Sequence, residues 1–395
     1  MGNKAVVLGS NYYIGLSIIR CLGSEGVYTV AVDYSKDETY GARSKYVKEH
    51  LIGPHYRSES EDFLKFLLDY GQKQDLKPVL FPGADPYVEF MDKYFYELKE
   101  YYLFPMTDKG LWTDVMDKDK LHSLAIKYGV LVPETARPSD DDFNYRIDNE
   151  IGFPCIIKPT DSPSFVAKFR KKIFYVNNRQ ELEEGLNLAR EANLDVIVQR
   201  VIPGFDDHMY TFDAHMNQDS EVTHWMTCQK YRQYPINFGA SVYTGQKHVP
   251  ELYDIGAPFF KALGYKGFGE IEFKKDSNTG KYYLIEINAR TTNLNSLLDK
   301  AGLNFPYIAY KDMIGENIGT KAIDYDTGIV FRYLIEDLLA IRDYTRKGQL
   351  THGSIIKSLF RKKAPAVWSF SDPKPGFDYF SMMMKKVGKK LKGDN

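Results

Sequence analysis

The stretch KYYLIEINARTTNLN, residues 281–295, decides the fold because polar and apolar side chains alternate along it. Successive residues of a β-strand point to opposite faces, so Glu286, Asn288 and Arg290 share one face. The isoleucines between them can pack into a core behind that face. The stretch therefore predicts a β-strand that presents oxygen ligands and a cation together.

The segment GFGEIEFKKD, residues 267–276, follows the same alternation and carries Glu270 and Glu272. A polar, glycine-containing turn separates the two segments, which predicts a β-hairpin with carboxylates on one face. Carboxylate and amide oxygens suit a hard divalent cation such as Mg²⁺, which usually shares its site with phosphates. An ordinary solvated strand face is the alternative interpretation.

Composition limits the class of protein. A chain of 395 residues is too long for a single core and predicts roughly two to four domains or subdomains. With 43% hydrophobic residues, 27% charged residues and a net charge of -1, it is typical of a soluble globular protein and does not favour nucleic acid as a partner. The three cysteines are far apart, which predicts free thiols in a reducing compartment. With no apolar run long enough to span a bilayer, the sequence predicts a cytoplasmic protein.

The N-terminus predicts a β-α-β unit. An apolar run at residues 5–8 leads through GSNYYIG, residues 9–15, into a helical pattern and then into a strand that ends at Asp33. Such a unit invites a dinucleotide-binding interpretation, but the loop lacks the full GxGxxG glycine set. We therefore favour a structural or substrate-lining role for this loop. Together with the following elements it predicts an open α/β domain.

Two further segments point to an anionic ligand. In GFPCIIKP, residues 152–159, Lys158 ends an apolar strand, and a buried lysine there needs an anion such as phosphate; a snorkelling lysine is the alternative. In DVIVQRVIPG, residues 195–204, a buried strand leaves the sheet just before Asp206 and Asp207. Its free backbone groups can pair with a purine edge, and a following carboxylate can accept from ribose; a generic strand and turn is the alternative.

Five short motifs occur in order along the chain: MDK (116–118), FPCIIKP (153–159), VIVQRVIPG (196–204), GEIEF (269–273) and EINAR (286–290). This order resembles the ATP-grasp superfamily, specifically its carboxylate-amine ligases, over residues 1–315. The resemblance implies an N-terminal α/β pre-grasp domain and two α+β subdomains that close on ATP. We expect domains at 1–110, 111–204 and 205–318, followed by a C-terminal helical extension at 319–395 with a basic tail.

The resemblance also implies roles for individual residues. It places Lys118 and Lys158 on the ATP phosphates, with Lys120 as a competitor for the first of these roles. It implies that Arg290 neutralises the phosphoryl intermediate. The remaining implied ligands are Gln199 and the backbone around Arg200 to Ile202 for adenine, Asp206 or Asp207 for ribose, and Glu272, Glu286 and Asn288 for two Mg²⁺ ions, with Mn²⁺ as an alternative metal.

The segment KYRQYP, residues 230–235, carries Lys230 and Arg232 at alternating positions of a predicted strand. Paired cations beside a triphosphate can bind the γ-phosphate or a substrate carboxylate, which makes Arg232 a catalytic candidate and Lys230 a nucleotide ligand. Two surface cations on an edge strand are the alternative. This segment looks like the subgroup that contains D-aspartate ligases.

Two regions depart from the resemblance. The family has a glycine- and serine-rich loop over the phosphates, whereas residues 160–172 contain no glycine. The C-terminal region is predicted to begin with an amphipathic helix at 331–342 and to end in a lysine-rich tail. That tail is either a docked helix with a solvated basic end or a peripheral contact with the anionic inner membrane face.

The predicted function is an ATP-dependent ligase that converts a carboxylate into an acyl phosphate for attack by an amine, releasing ADP and phosphate. The subgroup implies an amino acid such as D-aspartate as the acid and an amine of a cell-wall peptide precursor as the acceptor. His208, Glu270 or a phosphate oxygen can take the proton of the amine. A nucleotide-binding protein without turnover is the alternative, a dehydrogenase is a distant third, and a homodimer is a family-level expectation.

Overall fold

The N-terminal part of the chain forms a parallel four-stranded sheet flanked by helices. The computed structural model describes residues 2–37, 39–105, 107–160, 162–237 and 239–391, with only the backbone described at 162, 163 and 386–391. The sheet has the order β3-β2-β1-β4. Its elements are β1 (Ala5–Leu8), α1 (Tyr13–Ser24), β2 (Thr29–Asp33), a 3-10 turn (Tyr40–Arg43), β3 (Val47–Ile52), α2 (Ser60–Gly71), β4 (Val79–Pro82), α3 (Asp85–Lys93) and α4 (Phe95–Lys99). Strands β1 and β2 are buried along their whole length, as expected when helices cover both faces.

A smaller antiparallel sheet follows, with the order β5-β8-β6-β7. Its elements are α5 (Leu111–Met116), α6 (Lys118–Lys127), β5 (Thr135–Ala136), α7 (Phe143–Arg146), a π turn (Ile147–Ile151), β6 (Cys155–Pro159), α8 (Ser162–Phe169), β7 (Phe174–Val176), α9 (Arg179–Glu191) and β8 (Val196–Arg200). Asp117 caps α6 by accepting from the backbone N–H groups of Asp119 and Lys120, so α6 begins at Lys118. A separate hydrophobic core lies under this sheet.

The largest sheet has eight strands in the order β13-β12-β9-β10-β11-β15-β16, with β14 paired to β10. Its elements are a 3-10 turn (Asp206–His208), β9 (Met209–Met216), β10 (Val222–Tyr234), β11 (Ala240–Gln246), α10 (Pro250–Leu263), β12 (Gly267–Lys275), β13 (Tyr282–Asn288), α11 (Asn295–Ala301), α12 (Phe305–Met313), β14 (Lys321–Ala322), β15 (Ile329–Arg332), α13 (Leu334–Arg346), α14 (His352–Leu359), β16 (Lys362–Pro365) and α15 (Lys374–Leu391).

The predicted hairpin is present. Strands β12 and β13 pair antiparallel, with Glu272 opposite Glu286 and Glu270 opposite Asn288. The register therefore brings the predicted oxygen ligands of the two strands to the same place in the sheet.

Two predictions about local structure are wrong. The C-terminal region is not simply a helical extension, because β14, β15 and β16 join the large sheet and β15 pairs with β11. The helix predicted at 331–342 starts at Leu334, since Phe331 and Arg332 belong to β15. In the glycine-free segment, Ser162–Phe169 form α8, where Phe165 and Phe169 pack against Phe174 at ring distances of 4.9 and 5.0 Å.

The remaining general predictions concern thiols and membranes. Cys21, Cys155 and Cys228 are buried free thiols, as predicted. Among the described residues, no helix is both long enough and apolar enough to cross a bilayer. In α15, Tyr379 and Met382 pack against the core, as the docked-helix alternative requires. The lysine-rich end of the tail lies largely outside the described side chains.

Candidate active site

The oxygen-bearing face of the hairpin is held by hydrogen bonds among its own side chains. Asn288 donates through Nδ2 to Glu270 Oε1 at 2.9 Å, and Thr292 donates to Glu270 Oε2 at 2.9 Å. The amide nitrogen of Asn288 is thereby engaged, which leaves its carbonyl oxygen, Oδ1, as the atom directed to a ligand. That oxygen accepts from Arg290 Nη2 at 3.3 Å.

Strand β9 adds a carboxylate that the motifs did not reveal. Asp213 lies opposite Glu270 across β9 and β12, and both residues are buried. Burial raises the pKa of Asp213 to about 6. Burial, followed by repulsion from Asp213, raises the pKa of Glu270 well above its ordinary value.

A buried lysine faces these carboxylates. Lys230 Nζ lies 2.5 Å from Glu272 Oε2, and both side chains are buried. Burial alone would lower the pKa of Lys230, but the carboxylates of Glu272, Glu270 and Glu286 raise it above its ordinary value. Lys230 is therefore an ammonium held at the predicted metal ligands, where it would also meet a bound phosphate.

These residues fit a divalent cation. Three buried carboxylates, Asp213, Glu270 and Glu272, share the single buried ammonium of Lys230, and the exposed Glu286 adds a further negative charge. Oxygen donors with excess negative charge are the set that Mg²⁺ prefers. Within the described ranges, no three His, Cys, Asp or Glu side chains are arranged to hold a metal ion. The predicted set of metal ligands differs from such a cluster because its third member is the amide oxygen of Asn288, beside the carboxylates of Glu272 and Glu286.

Two lysines of the small sheet and its preceding helix converge. Lys118, the first residue of α6, donates to the backbone oxygen of Pro159 at 2.9 Å. Lys158 lies 3.4 Å from Gln199 Oε1. Burial and then the Lys118 ammonium lower the pKa of Lys158 to about 8, whereas Glu286 of the large sheet acts in the opposite direction. The two lysines are thus near one another, and Lys158 lies within electrostatic range of Glu286, a predicted metal ligand. Lys120 instead forms an exposed pair with Asp114 at 2.6 Å.

At the end of β8, the strand predicted to border adenine, the Arg200 side chain is engaged in ion pairs. Arg200 pairs with Glu134 Oε2 at 3.0 Å and with Asp276 Oδ2 at 3.3 Å. Strand β8 ends at Arg200, and Ile202 is buried just beyond it. Because the Arg200 side chain is engaged in these ion pairs, the predicted contact with adenine would be made by the backbone after Arg200.

The two acidic residues after this strand have different surroundings. Asp206 is buried, and its Oδ2 accepts from the backbone N–H of Asn237 at 2.8 Å and from the hydroxyl of Tyr344. The Asp206 carboxylate therefore binds the C-terminal helix α13 through Tyr344. Asp207 is exposed and contacts His208 Nδ1 at 2.8 Å, which makes it the better candidate for a ribose contact.

Arg232, which is predicted to be catalytic, lies in a buried ion pair with Asp337. The register of β10 against β11 shifts between Lys230 and Arg232. Arg232 donates to Asp337 Oδ1 at 2.6 Å and to Asp337 Oδ2 at 3.1 Å, and its guanidinium lies 3.9 Å from the centre of the Tyr243 ring. The buried guanidinium is thus held by α13, and its observed role is to attach that helix to the sheet.

Arg290 joins the large sheet to the N-terminal domain. It donates to both carboxylate oxygens of Asp85, at 2.6 and 3.0 Å, at the first residue of α3. Burial alone would lower the pKa of Arg290, but Asp85 raises it. The guanidinium therefore lies between the predicted metal ligands and the N-terminal domain.

The N-terminal loop is held by a carboxylate at the end of β2. Asp33 accepts from the backbone N–H of Ser10 at 2.7 Å and of Asn11 at 3.2 Å, and from the Ser10 hydroxyl at 2.5 Å. His50 Nε2 also lies 3.0 Å from this carboxylate. Asp33 thus binds its own loop, as expected for the structural or substrate-lining role that we favour over dinucleotide binding.

Sequence reasoning missed Asp213, Thr292, Glu336 and Asp337. For Asp213 a usable pattern was present, because Thr211, Asp213 and His215 alternate along β9 as Glu270 and Glu272 do along β12. Thr292 continues the alternation of Glu286, Asn288 and Arg290, whereas Glu336 and Asp337 follow no such pattern.

The comparisons with known proteins agree with this geometry. Residues 123–309 match the family described as D-ala D-ala ligase C-terminus. The chain is 26% identical over 266 residues to the D-aspartate ligase of Enterococcus faecium, which covers 64% of this chain and 63% of that protein. It is 22% identical over 338 residues to D-alanine–D-alanine ligase B of Pseudomonas putida, which covers 81% and 92%. A biotin carboxylase complex from Campylobacter jejuni superimposes with a TM-score of 0.63 at 17% identity, covering 80% of this chain and 72% of that one.

The predicted fold class is confirmed: the chain has the ATP-grasp fold, with mixed α/β and α+β parts. The predicted resemblance is confirmed as well: the chain is similar to ATP-grasp ligases of the carboxylate-amine class. The chain matches about 63% of the length of the D-aspartate ligase.

Proposed function

We propose that the protein is an ATP-dependent ligase that joins a carboxylate to an amine through an acyl phosphate, releasing ADP and phosphate. The observation that carries the proposal is the approach of the two sheets. Lys158 of the small sheet lies within electrostatic range of Glu286 of the large sheet. We infer that cations for phosphates and oxygens for a metal would meet at one site.

The chemistry explains why both sides are needed. A carboxylate oxygen is a poor leaving group, so the acid must first accept a phosphoryl group before an amine can displace it. Lys118 and Lys158 would neutralise the nucleotide phosphates, and Lys230 would meet the terminal phosphate beside Glu272. Glu272, Glu286 and Asn288 would hold Mg²⁺, which supplies charge neutralisation and orientation of the phosphates.

Arg290 would act on the acid. It lies between Asn288 of the metal-ligand face and Asp85 of the N-terminal domain. A guanidinium there would stabilise negative charge on the phosphoryl group and on the tetrahedral species formed when the amine attacks. Asp207 and the backbone after Arg200 would hold ribose and adenine.

For the substrates, we propose an amino acid such as D-aspartate as the acid and an amine of a cell-wall peptide precursor as the acceptor. The similarity to a D-aspartate ligase supports this choice. A homodimer and a contact of the basic tail with an anionic membrane surface remain predictions.

A second candidate is a nucleotide-binding protein without ligase turnover. The specific observation in its favour is α8, which occupies the segment where the superfamily has a glycine- and serine-rich loop.

Phosphate release from ATP separates the two candidates. The ligase should release phosphate only when an acid and an amine are both present, as tested by combining amino acids of both chiralities with candidate amines. Glu286→Gln should reduce turnover at least about 100-fold, because it removes a charged metal ligand, while affinity for a nonhydrolysable ATP analogue stays within about threefold. Glu183→Gln, an exposed glutamate of α9, is the matched control and should behave as wild type.

Phosphate release that does not depend on added acid and amine would contradict the ligase proposal. Analogue binding without any turnover would favour the second candidate.

A further inference from the structure

A cluster of tyrosines lies where the N-terminal domain meets the C-terminal region. Ring centres are 4.3 Å apart for Tyr12 and Tyr13, and 4.7 Å apart for Tyr13 and Tyr333. The contacts continue from Tyr333 to Tyr379 at 6.1 Å and from Tyr379 to Tyr40 at 5.4 Å. We call these five residues the tyrosine cluster. Its members lie in the β1–α1 loop, at the start of α1, in the 3-10 turn Tyr40–Arg43, just before α13, and in α15.

One carboxylate belongs to this cluster. Glu336, in the first turn of α13, is among the charges that raise the pKa of Tyr12, Tyr40, Tyr333 and Tyr379, in each case after the larger effect of burial. A hydrogen bond from Tyr333 stabilises the Glu336 carboxylate, but burial has the larger effect and raises its pKa overall. The Glu336 carboxylate is therefore within electrostatic range of several phenols from different parts of the chain.

The Glu336 carboxylate is incompletely satisfied. Its Oε2 atom is buried and has no hydrogen-bond partner among the described residues. A buried acceptor left without a donor costs about 1–3 kcal/mol, and more when it is charged. By contrast, the neighbouring carboxylate of Asp337 accepts from two arginines. The site at Glu336 thus lacks a hydrogen-bond donor, and a cationic donor would also restore charge balance.

The position of the cluster relates it to the candidate active site. The phenol of Tyr12 is within electrostatic range of both Glu336 and Arg290. Tyr12 is 43% exposed, so the cluster is open to solvent on that side. A carboxylate near an exposed aromatic ring is a favourable environment for an alkylammonium group, which donates hydrogen bonds to the carboxylate and interacts with the ring face.

We infer that Glu336 and the tyrosine cluster bind the ammonium group of a substrate. The inference deepens the proposed function and rests on it for the identity of that substrate. Two groups have the required chemistry: the α-ammonium of the amino acid whose carboxylate is activated, and the ammonium form of the acceptor amine. Both must lie near Arg290 when the bond is made.

The test compares ligands that differ only in the ammonium. Binding is measured by isothermal titration calorimetry with Mg²⁺ and a nonhydrolysable ATP analogue present. One pair is D-aspartate and succinate, which has the same two carboxylates without the ammonium. The other pair is a lysine-containing peptide and its ε-acetylated form. The proteins are wild type, Glu336→Gln, and Glu97→Gln, an exposed glutamate in the first turn of α4.

Glu336→Gln should weaken the ammonium-bearing member of one pair about tenfold or more, corresponding to about 1.4 kcal/mol, and leave its partner within about twofold. An effect on D-aspartate alone identifies the α-ammonium, and an effect on the lysine peptide alone identifies the acceptor. Glu97→Gln should change neither pair. Glu336→Gln should not lower the free energy of unfolding, because it removes an unsatisfied buried charge.

Equal loss of affinity for both members of a pair, no change in either pair, or a wild-type protein that binds no ammonium-bearing ligand would each overturn the inference. Because binding is read without turnover, failure of the ligase proposal is recognised separately, by the absence of phosphate release in wild type.

Discussion

Replacement of Asp337 by asparagine tests whether α13 is attached to the sheet by charge. Asp337 is fully buried and accepts from Arg232 Nε at 2.6 Å, from Arg232 Nη2 at 3.1 Å and from Arg332 Nε at 2.8 Å. One carboxylate thus serves two guanidiniums. Asp337→Asn would leave both cations in a poorly solvated site without a counter-charge.

The expected loss is about 3–5 kcal/mol, the cost of breaking a buried ion pair by removing one partner. Against a total stability of about 5–15 kcal/mol, this is a large fraction. Urea unfolding followed by both fluorescence and circular dichroism measures it, since coincident transitions are required for a two-state value. Asp343→Asn, which removes an exposed ion pair with Arg342 in the same helix, is the control and should change stability little.

The double variant Arg232→Met with Asp337→Leu should recover part of the loss, because apolar residues of similar volume often replace a buried ion pair at little cost. If Asp337→Asn costs less than about 1 kcal/mol, or no more than Asp343→Asn, the buried ion pair does not attach the helix.

Two further predictions concern a cation and a turn. Because burial lowers the pKa of Lys158 to about 8 without ligand, affinity for an ATP analogue should be full below that pH and decrease as the pH rises through it, by roughly tenfold per pH unit at most. Titration calorimetry at several pH values measures this, and Lys158→Arg should remove the dependence; a flat profile in wild type would contradict it. Gly9→Ala should lose about 1–3 kcal/mol in urea unfolding, because Gly9 has φ +88° and an added Cβ would lie 2.6 Å from Tyr87. Gly26→Ala, with φ +81° and open space around it, should lose only about 1 kcal/mol, and equal losses would show that the contact with Tyr87 is unimportant.

Periodicity made part of the site predictable. Alternation along residues 267–276 and 281–295 placed polar side chains on one face of each strand, and a short polar turn made antiparallel pairing the simple outcome. The observed pairing of Glu272 with Glu286 follows from those two local properties. No comparison with distant parts of the chain was needed.

Contacts between distant residues were not predictable in the same way. Arg232 alternates with Lys230 in sequence, but its partner Asp337 is 105 residues away, and nothing local indicates which carboxylate will neutralise a given cation. Arg290 likewise pairs with Asp85 across 205 residues. Such pairs are set by the packing of whole elements.

Short apolar segments were also ambiguous. The sequence FRYLIEDLLAIR is compatible with a helix throughout, but its first two residues complete β15 because β11 offers an unpaired edge there. In α8, Phe165 and Phe169 are four residues apart and share one helical face. This helical spacing was overlooked because the superfamily has a glycine- and serine-rich loop at this place.

The contact between Arg20 and Asp372 has a consequence for synthesis on the ribosome. These residues are 352 positions apart, yet their side chains meet at 2.9 Å. At ~5–20 residues per second, roughly 20–70 s pass between translation of the first and of the second. The N-terminal domain therefore leaves the ribosome long before the C-terminal residues that cover its surface at Arg20 have been translated. A nascent chain halted before the last strands would leave the edge of β11 uncovered and available to another molecule.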